Sequence, residues 1–80
     1  MITSAQIRAA RAMLDWSREQ LSDNSSVGLS ALMRLESAEG VPSGNIKTFE
    51  AVQKAFEKAG IEFLGSPEDG AGVRWKIKKF

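Results

Sequence analysis

The chain has 80 residues, 42% of them hydrophobic and 26% charged, with 11 Lys and Arg against 10 Asp and Glu for a formal net charge of +1. This is the composition of one soluble globular domain, and a chain so short buries only about 60% of its unfolded surface, so a thin core is expected. Cysteine and histidine are absent, which excludes disulfides, thiolate chemistry, His-based triads and zinc sites built from Cys or His.

The first predicted helix opens with Thr3 as cap, Gln6 completing a capping box, and Ile2 with Ile7 as a hydrophobic staple. Ile7, Ala10 and Leu14 repeat at helical spacing, and Ala9, Ala12 and Met13 widen the apolar stripe. Asp15 and Trp16 end this helix. Trp16 reads as a core anchor rather than a ligand platform, since no partner aromatic lies beside it in sequence.

Residues 17–37, SREQLSDNSSVGLSALMRLES, repeat the same grammar. Ser17 caps, Gln20 completes the box, and Trp16 with Leu21 forms the staple. Asn24, Ser25 and Ser26 break the helical pattern, because short polar side chains bond to the backbone and favour turns. The period resumes after Val27, with Leu32 and Leu35 on one side. Helix, turn of three or four residues, helix is the outline of a helix-turn-helix.

A loop follows over residues 38–45, AEGVPSGN, where Pro42 forbids helical geometry at Val41. Ser43 or Asn45 can cap the next helix, placed near residues 46–59, whose face carries Phe49, Val52, Phe56 and Ala59. Gly60 stops it. The period then changes to alternation. Residues 61–64 are short and apolar, residues 65–72 read as turn, and residues 73–78 alternate strictly. Val73, Trp75 and Ile77 are expected to face the helices, with the bases facing water. The second half of the chain holds seven of the bases, four of them between Arg74 and Lys79. That basic strand fits two roles, a phosphate contact or a solubilising edge.

The stretches IRAARAMLDWSREQL, VGLSALMRLE, PSGNIKTF and EKAGIEF together resemble the Cro/C1-type (XRE) helix-turn-helix family. The resemblance is firm for residues 3–63 and looser for the hairpin. It implies a mainly α, lambda-repressor-like bundle of four to five helices over residues 3–60, followed by a C-terminal β-hairpin over residues 61–79. Two strands alone are marginal, so the hairpin is expected to pack on the helices, to pair with a second copy as a dimerisation element through Val73, Trp75 and Ile77, or to do both. It also implies a sequence-specific DNA-binding transcriptional regulator, acting as a homodimer on double-stranded DNA with residues 28–37 in the major groove.

Residue by residue, the resemblance implies that Leu21, Val27, Leu32 and Leu35 fill the motif's apolar positions, and that Arg11 and Glu36 form a partly buried structural ion pair. Arg18, opening the second helix, matches a phosphate-contacting position. Gly28, Leu29, Ser30, Met33 and Arg34 match the base-reading positions, and Ser43 and Asn45 join the candidate DNA contacts. Arg34 suits guanine, whose O6 and N7 a guanidinium can bridge, and Ser30 suits phosphate or either base type. Leu29 and Met33 fit thymine methyl groups or a partner protein equally.

Departures from the family pattern shape the expectation. Ser26 stands where a glycine is usual, and Gly28 replaces the usual capping Ser or Thr. The stretch after the recognition helix, Ser37, Ala38, Glu39 and Gly40, has no base and one acid. Weak binding by one subunit is therefore expected, with dimerisation setting two reading helices about 34 Å apart.

The second function class is a protein-interaction module, such as an antitoxin of a toxin–antitoxin pair or a phage-type antagonist of another regulator. The apolar Leu29 and Met33 motivate it. An enzyme is not expected: no His is present to activate Ser or Thr, no spacing suggests a metal site or phosphate-cradling loop, and no cofactor is implied. No apolar run nears the roughly 18 residues that span a bilayer, and residues 1–13 lack the blocks of a signal peptide, so no membrane role and a cytoplasmic location are expected.

Overall fold

The computed structural model describes residues 2–38 and 45–76. Among them are four helices, α1 (Ser4–Leu14), α2 (Arg18–Ser25), α3 (Leu29–Ser37) and α4 (Ile46–Lys58), followed by strands β1 (Ile61–Ser66) and β2 (Asp69–Trp75). The fold is mainly helical with a C-terminal two-stranded antiparallel hairpin. No helix among the described residues is long and apolar enough to cross a membrane.

Local signals start the first two helices. Thr3 and Ser17 each form a full capping box with Gln6 and Gln20, so two orphan N–H groups at each start are satisfied within four residues of chain. Both helices end in a left-handed residue, Asp15 at φ 56° and Ser26 at φ 61°. Asp tolerates this region because its short polar side chain bonds locally. α2 does not break at Asn24: Asn24 and Ser25 stay helical and only Ser26 turns. The serines tie this corner. Ser25 Oγ donates to Leu21 O at 2.7 Å and accepts from Val27 N at 3.3 Å, and Ser22 Oγ donates to Val27 O at 2.7 Å.

The core is built from Ile2, Ile7, Ala10, Leu21, Val27, Leu32, Leu35, Phe49, Val52, Ala55, Phe56 and Ile61. The four motif positions Leu21, Val27, Leu32 and Leu35 are all buried. Phe56 is fully buried and joins three elements. Trp16 stacks on it with ring centroids 5.8 Å apart, and Phe63 meets it edge-on at 5.9 Å. Trp16 thus has an aromatic partner after all, supplied across the fold by α4, and it is a core anchor. Ala12, in contrast, is exposed and lies outside the stripe.

The hairpin corrects the expected strand limits. β2 begins at Asp69, so the turn is only Pro67 and Glu68, and Gly70, Ala71 and Gly72 are strand. The register pairs Ile61 with Trp75 and Phe63 with Val73, with an irregularity between Leu64 and Ser66. Gly65 sits there at φ 72°, and a Cβ on it would lie 2.5 Å from Gly70 O, so glycine alone fits this bulge. Val73 and Trp75 are half-buried against the helices of their own chain; Ile77 lies outside the described residues. Gln6 couples the hairpin to α1: its Nε2 donates to Leu64 O at 3.2 Å and Gly72 O at 2.9 Å while its Oε1 accepts from Thr3 N.

Candidate nucleic-acid interface

α3 is the element around which the site is built, and its two sides differ. Leu32, Leu35 and Glu36 point inward and are buried, and the helix packs on α1 and α2. Gly28, Leu29, Ser30, Met33 and Arg34 are all exposed, at the N-cap and along the outward side. Leu29 and Met33 stand one turn apart with 40% and 54% of their surface accessible. No acid occurs in residues 28–35, and Arg34 makes no ion pair among the described residues. The result is an exposed face of two apolar side chains, one hydroxyl and one guanidinium.

The start of α3 is open. Gly28 offers no side-chain cap, and its backbone, at φ −64° and ψ 152°, is ordinary extended geometry with room for a Cβ. Glycine is therefore not required here by conformation. Its effect is to leave the first-turn N–H groups of α3 without a side-chain acceptor, where anions are favoured.

The C-terminal end of α3 is closed by α1. Ser37 Oγ donates to Arg34 O at 3.3 Å, Ser4 Oγ to Leu35 O, and Arg8 Nη1 to Glu36 O. Three of the carbonyls that a helix end leaves without intrahelical partners are thereby satisfied. Arg8 is a residue that reading the sequence overlooked; the available signal was its place one turn before Arg11 on α1.

Glu36 is the electrostatic centre. Arg11 grips its carboxylate with two hydrogen bonds, Nε to Oε2 at 3.0 Å and Nη2 to Oε1 at 2.8 Å, and sends Nη1 to Trp16 O at 2.9 Å. The Glu36 side chain is 1% exposed and that of Arg11 23%. This is a bidentate buried pair that also holds the α1–α2 corner. Arg18 adds a second cation: its Nε lies 3.4 Å from Glu36 Oε1 while its side chain is 43% exposed. Sequence reading placed Arg18 beside DNA and did not connect it to Glu36.

Asn45 is exposed, and its Oδ1 caps α4 by accepting from Lys47 N at 2.8 Å; Ser43 lies outside the described residues. The structure brings Arg18 to Glu36 behind α3 and sets Gly28, Leu29, Ser30, Met33 and Arg34 along that one helix. Ile46, at the start of α4, is also exposed, at 64%. No group of three or more His, Cys, Asp or Glu is placed to hold a metal ion among the described residues.

A further ion pair lies on the hairpin, away from α3. Arg74 Nε donates to Glu62 Oε1 at 2.7 Å across the hairpin, and this bond, with the charges of Arg74 and Lys76, holds the Glu62 carboxyl below its ordinary value against a smaller opposing effect of burial. No protein-family model matches the chain, and no curated protein does either.

Proposed function

We propose that the chain is a sequence-specific DNA-binding regulator of the lambda-repressor-like, Cro/C1-type kind, a cytoplasmic homodimer that lays α3 in the major groove. The observation that carries the reading is the face of α3, exposed and free of acids, directly after a short turn from α2. Arg34 is the guanine reader, Ser30 a phosphate or base contact, and Leu29 and Met33 suit thymine methyl groups. Arg18 supplies the phosphate contact, assisted by the open start of α3 and by Ser43 and Asn45. With a net charge of only +1, one subunit has little non-specific affinity, and a dimer doubles the reading surface. The hairpin is the dimerisation element, through the backbone of its strands rather than through Val73 and Trp75, which pack on the helices of their own chain.

Selection of bound sites from random DNA, with the mass of the bound species measured alongside, tests this. The expected result is a symmetric site with half-sites one helical turn apart, bound by two chains. Arg34→Ala is expected to cost about 1–3 kcal/mol and to relax preference at one guanine. Binding that shows no preference over random DNA at low salt overturns the reading.

The exposed Leu29 and Met33 favour a second reading, a module that binds another protein through the same helix, as an antitoxin or a regulator antagonist does. If that is the main role, the selection returns no site and Arg34→Ala changes nothing on DNA.

A further inference from the structure

The chain has three aspartates and two asparagines, and only one of the five stands before a glycine. That one is Asp69, the first residue of β2, followed by Gly70. The other four are restrained. Trp16, after Asp15, is bulky, and its N–H donates to Arg11 O at 2.9 Å. Asp23 and Asn24 lie inside α2, where the following N–H groups belong to the helical ladder. Asn45 precedes the β-branched Ile46, and its Oδ1 is engaged by Lys47 N at 2.8 Å. At Asp69 none of these restraints applies. Asp69 and Gly70 are both exposed, and Asp69 makes no ion pair among the described residues. Gly70 has φ 72°, and a Cβ built on it would meet nothing within 4 Å. The two residues share one cross-strand partner, Ser66, so the ladder is broken there.

We propose that Asp69–Gly70 is a modification site, at which the backbone isomerises to isoaspartate without an enzyme. The Gly70 amide nitrogen attacks Asp69 Cγ. An N–C bond forms, and the carboxyl hydroxyl leaves as water with the amide proton. The product is a five-membered succinimide ring, which water then opens. Cleavage of the bond from nitrogen to Cγ restores aspartate. Cleavage of the bond from nitrogen to the main-chain carbonyl leaves isoaspartate, with Cβ now part of the main chain. The fold itself sets up this chemistry. A positive φ at position 70 favours a residue without Cβ, and such a residue leaves the attacking nitrogen unhindered. The consequence falls on the hairpin. Gly65 packs directly on this peptide, since a Cβ on it would lie 2.5 Å from Gly70 O and 2.9 Å from Asp69 O. An inserted methylene displaces the bulge and the strand after it, including Gly72 O, which Gln6 Nε2 holds at 2.9 Å. Isomerised chains therefore lose the clasp between α1 and the hairpin. The site lies outside α3, so the inference is independent of what that helix binds.

The test ages the folded protein at neutral pH and physiological temperature and maps its peptides against time, beside a free peptide of residues 66–72, SPEDGAG. The expected product has the parent mass but elutes apart from the parent peptide. It resists a protease that cuts before aspartate and accepts a methyl group from an isoaspartyl methyltransferase. A transient species one water lighter should precede it. Conversion at position 69 is expected to outrun that at positions 15 and 23, which stay at background. Asp69→Glu, whose ring would need six members, should stop the conversion, and circular dichroism checks its fold. Gly70→Ala, whose methyl group shields the nitrogen, should slow it. Hydrogen exchange on the separated isomer is expected to quicken in β1 and β2 while α1 to α3 keep their protection. The proposal is overturned if the folded chain keeps its aspartate while the free peptide converts, since the hairpin then protects the bond. Equal conversion at position 15 or 23, or an unchanged rate in Asp69→Glu, overturns it too. An isomer that exchanges like its parent overturns the loss of the Gln6 clasp.

Discussion

The α1–α3 junction and the terminal hairpin each carry an Arg–Glu pair, and the two contacts are of nearly equal length, 2.8 Å for Arg11–Glu36 and 2.7 Å for Arg74–Glu62. Their surroundings differ. The first pair has side-chain exposures of 23% and 1%, the second of 61% and 37%. At the junction, water is excluded from the carboxylate, so losing its partner strands a charge. On the hairpin, water takes the partner's place and salt screens what remains. Distance alone therefore says little about which pair matters to the fold; burial and the number of secondary partners decide.

Breaking the junction gives the largest expected effect. Arg11→Ala removes both hydrogen bonds to Glu36 and the one to Trp16 O. Arg18 remains at 3.4 Å but is too loosely placed to replace them. The expected loss is about 3 kcal/mol or more, against a total stability of about 5–15 kcal/mol for ordinary domains. At about 4–8 °C per kcal/mol for a chain of this size, the melting midpoint should fall by more than about 10 °C. Thermal unfolding followed by circular dichroism checks it. A fall of only a few degrees would mean that the junction behaves like the surface pair.

Much of the junction could be read ahead of the structure, and the hairpin far less. The capping boxes at Thr3–Gln6 and Ser17–Gln20 are contacts over three residues, so they are written directly in the sequence. The apolar positions Leu21, Val27, Leu32 and Leu35 follow from helical period, and the Arg11–Glu36 match came from the family resemblance. Residues 65–72 read as turn in the sequence because three glycines and a proline crowd there. In the fold, Gly70 and Gly72 are strand, and Gly72 O is held by Gln6 across 66 residues of chain. No local rule anticipates a bond of that span. The same is true of Arg8 reaching Glu36 O and Arg18 reaching its carboxylate: in sequence Arg8 has no role and Arg18 only a phosphate contact, and the contacts with Glu36 exist only where α1, α2 and α3 meet. Only the stacking of Trp16 on Phe56 gave the lone tryptophan its partner.

The hairpin's own dependence is on backbone shape rather than charge, and Gly65→Ala tests that. A methyl group at φ 72° is strained, and it would stand 2.5 Å from Gly70 O and 2.8 Å from Gly70 C. Backbone on both strands would have to move, which disrupts the bulge and the Gln6 bonds to Leu64 O and Gly72 O. The expected loss is about 2 kcal/mol, smaller than at the junction because the helices keep their own core. Hydrogen exchange should show β1 and β2 opening while α1 to α3 stay protected. Uniform loss of protection would mean that the hairpin and helices unfold as one unit.

The hairpin ion pair should show the smallest effect. Its bond from Arg74, aided by the charges of Arg74 and Lys76, holds the Glu62 carboxyl below the ordinary value of 4.5. A depressed value in the folded state means the ionised form is favoured there. Whatever stability it adds is present above the ordinary value and disappears as the pH falls through the folded one. Glu62→Gln removes the charge at every pH. At neutral pH its melting midpoint is therefore expected to sit at or just below that of the wild type, within the error of the measurement. As the pH drops below 4.5, any small gap should close, because the wild-type carboxyl becomes neutral too. A Glu62→Gln variant that melted as early as Arg11→Ala, or a gap that widened in acid, would reverse the ranking of the two pairs. It would then be the exposed strand face, not the buried carboxylate of α3, on which the charge of this domain turns.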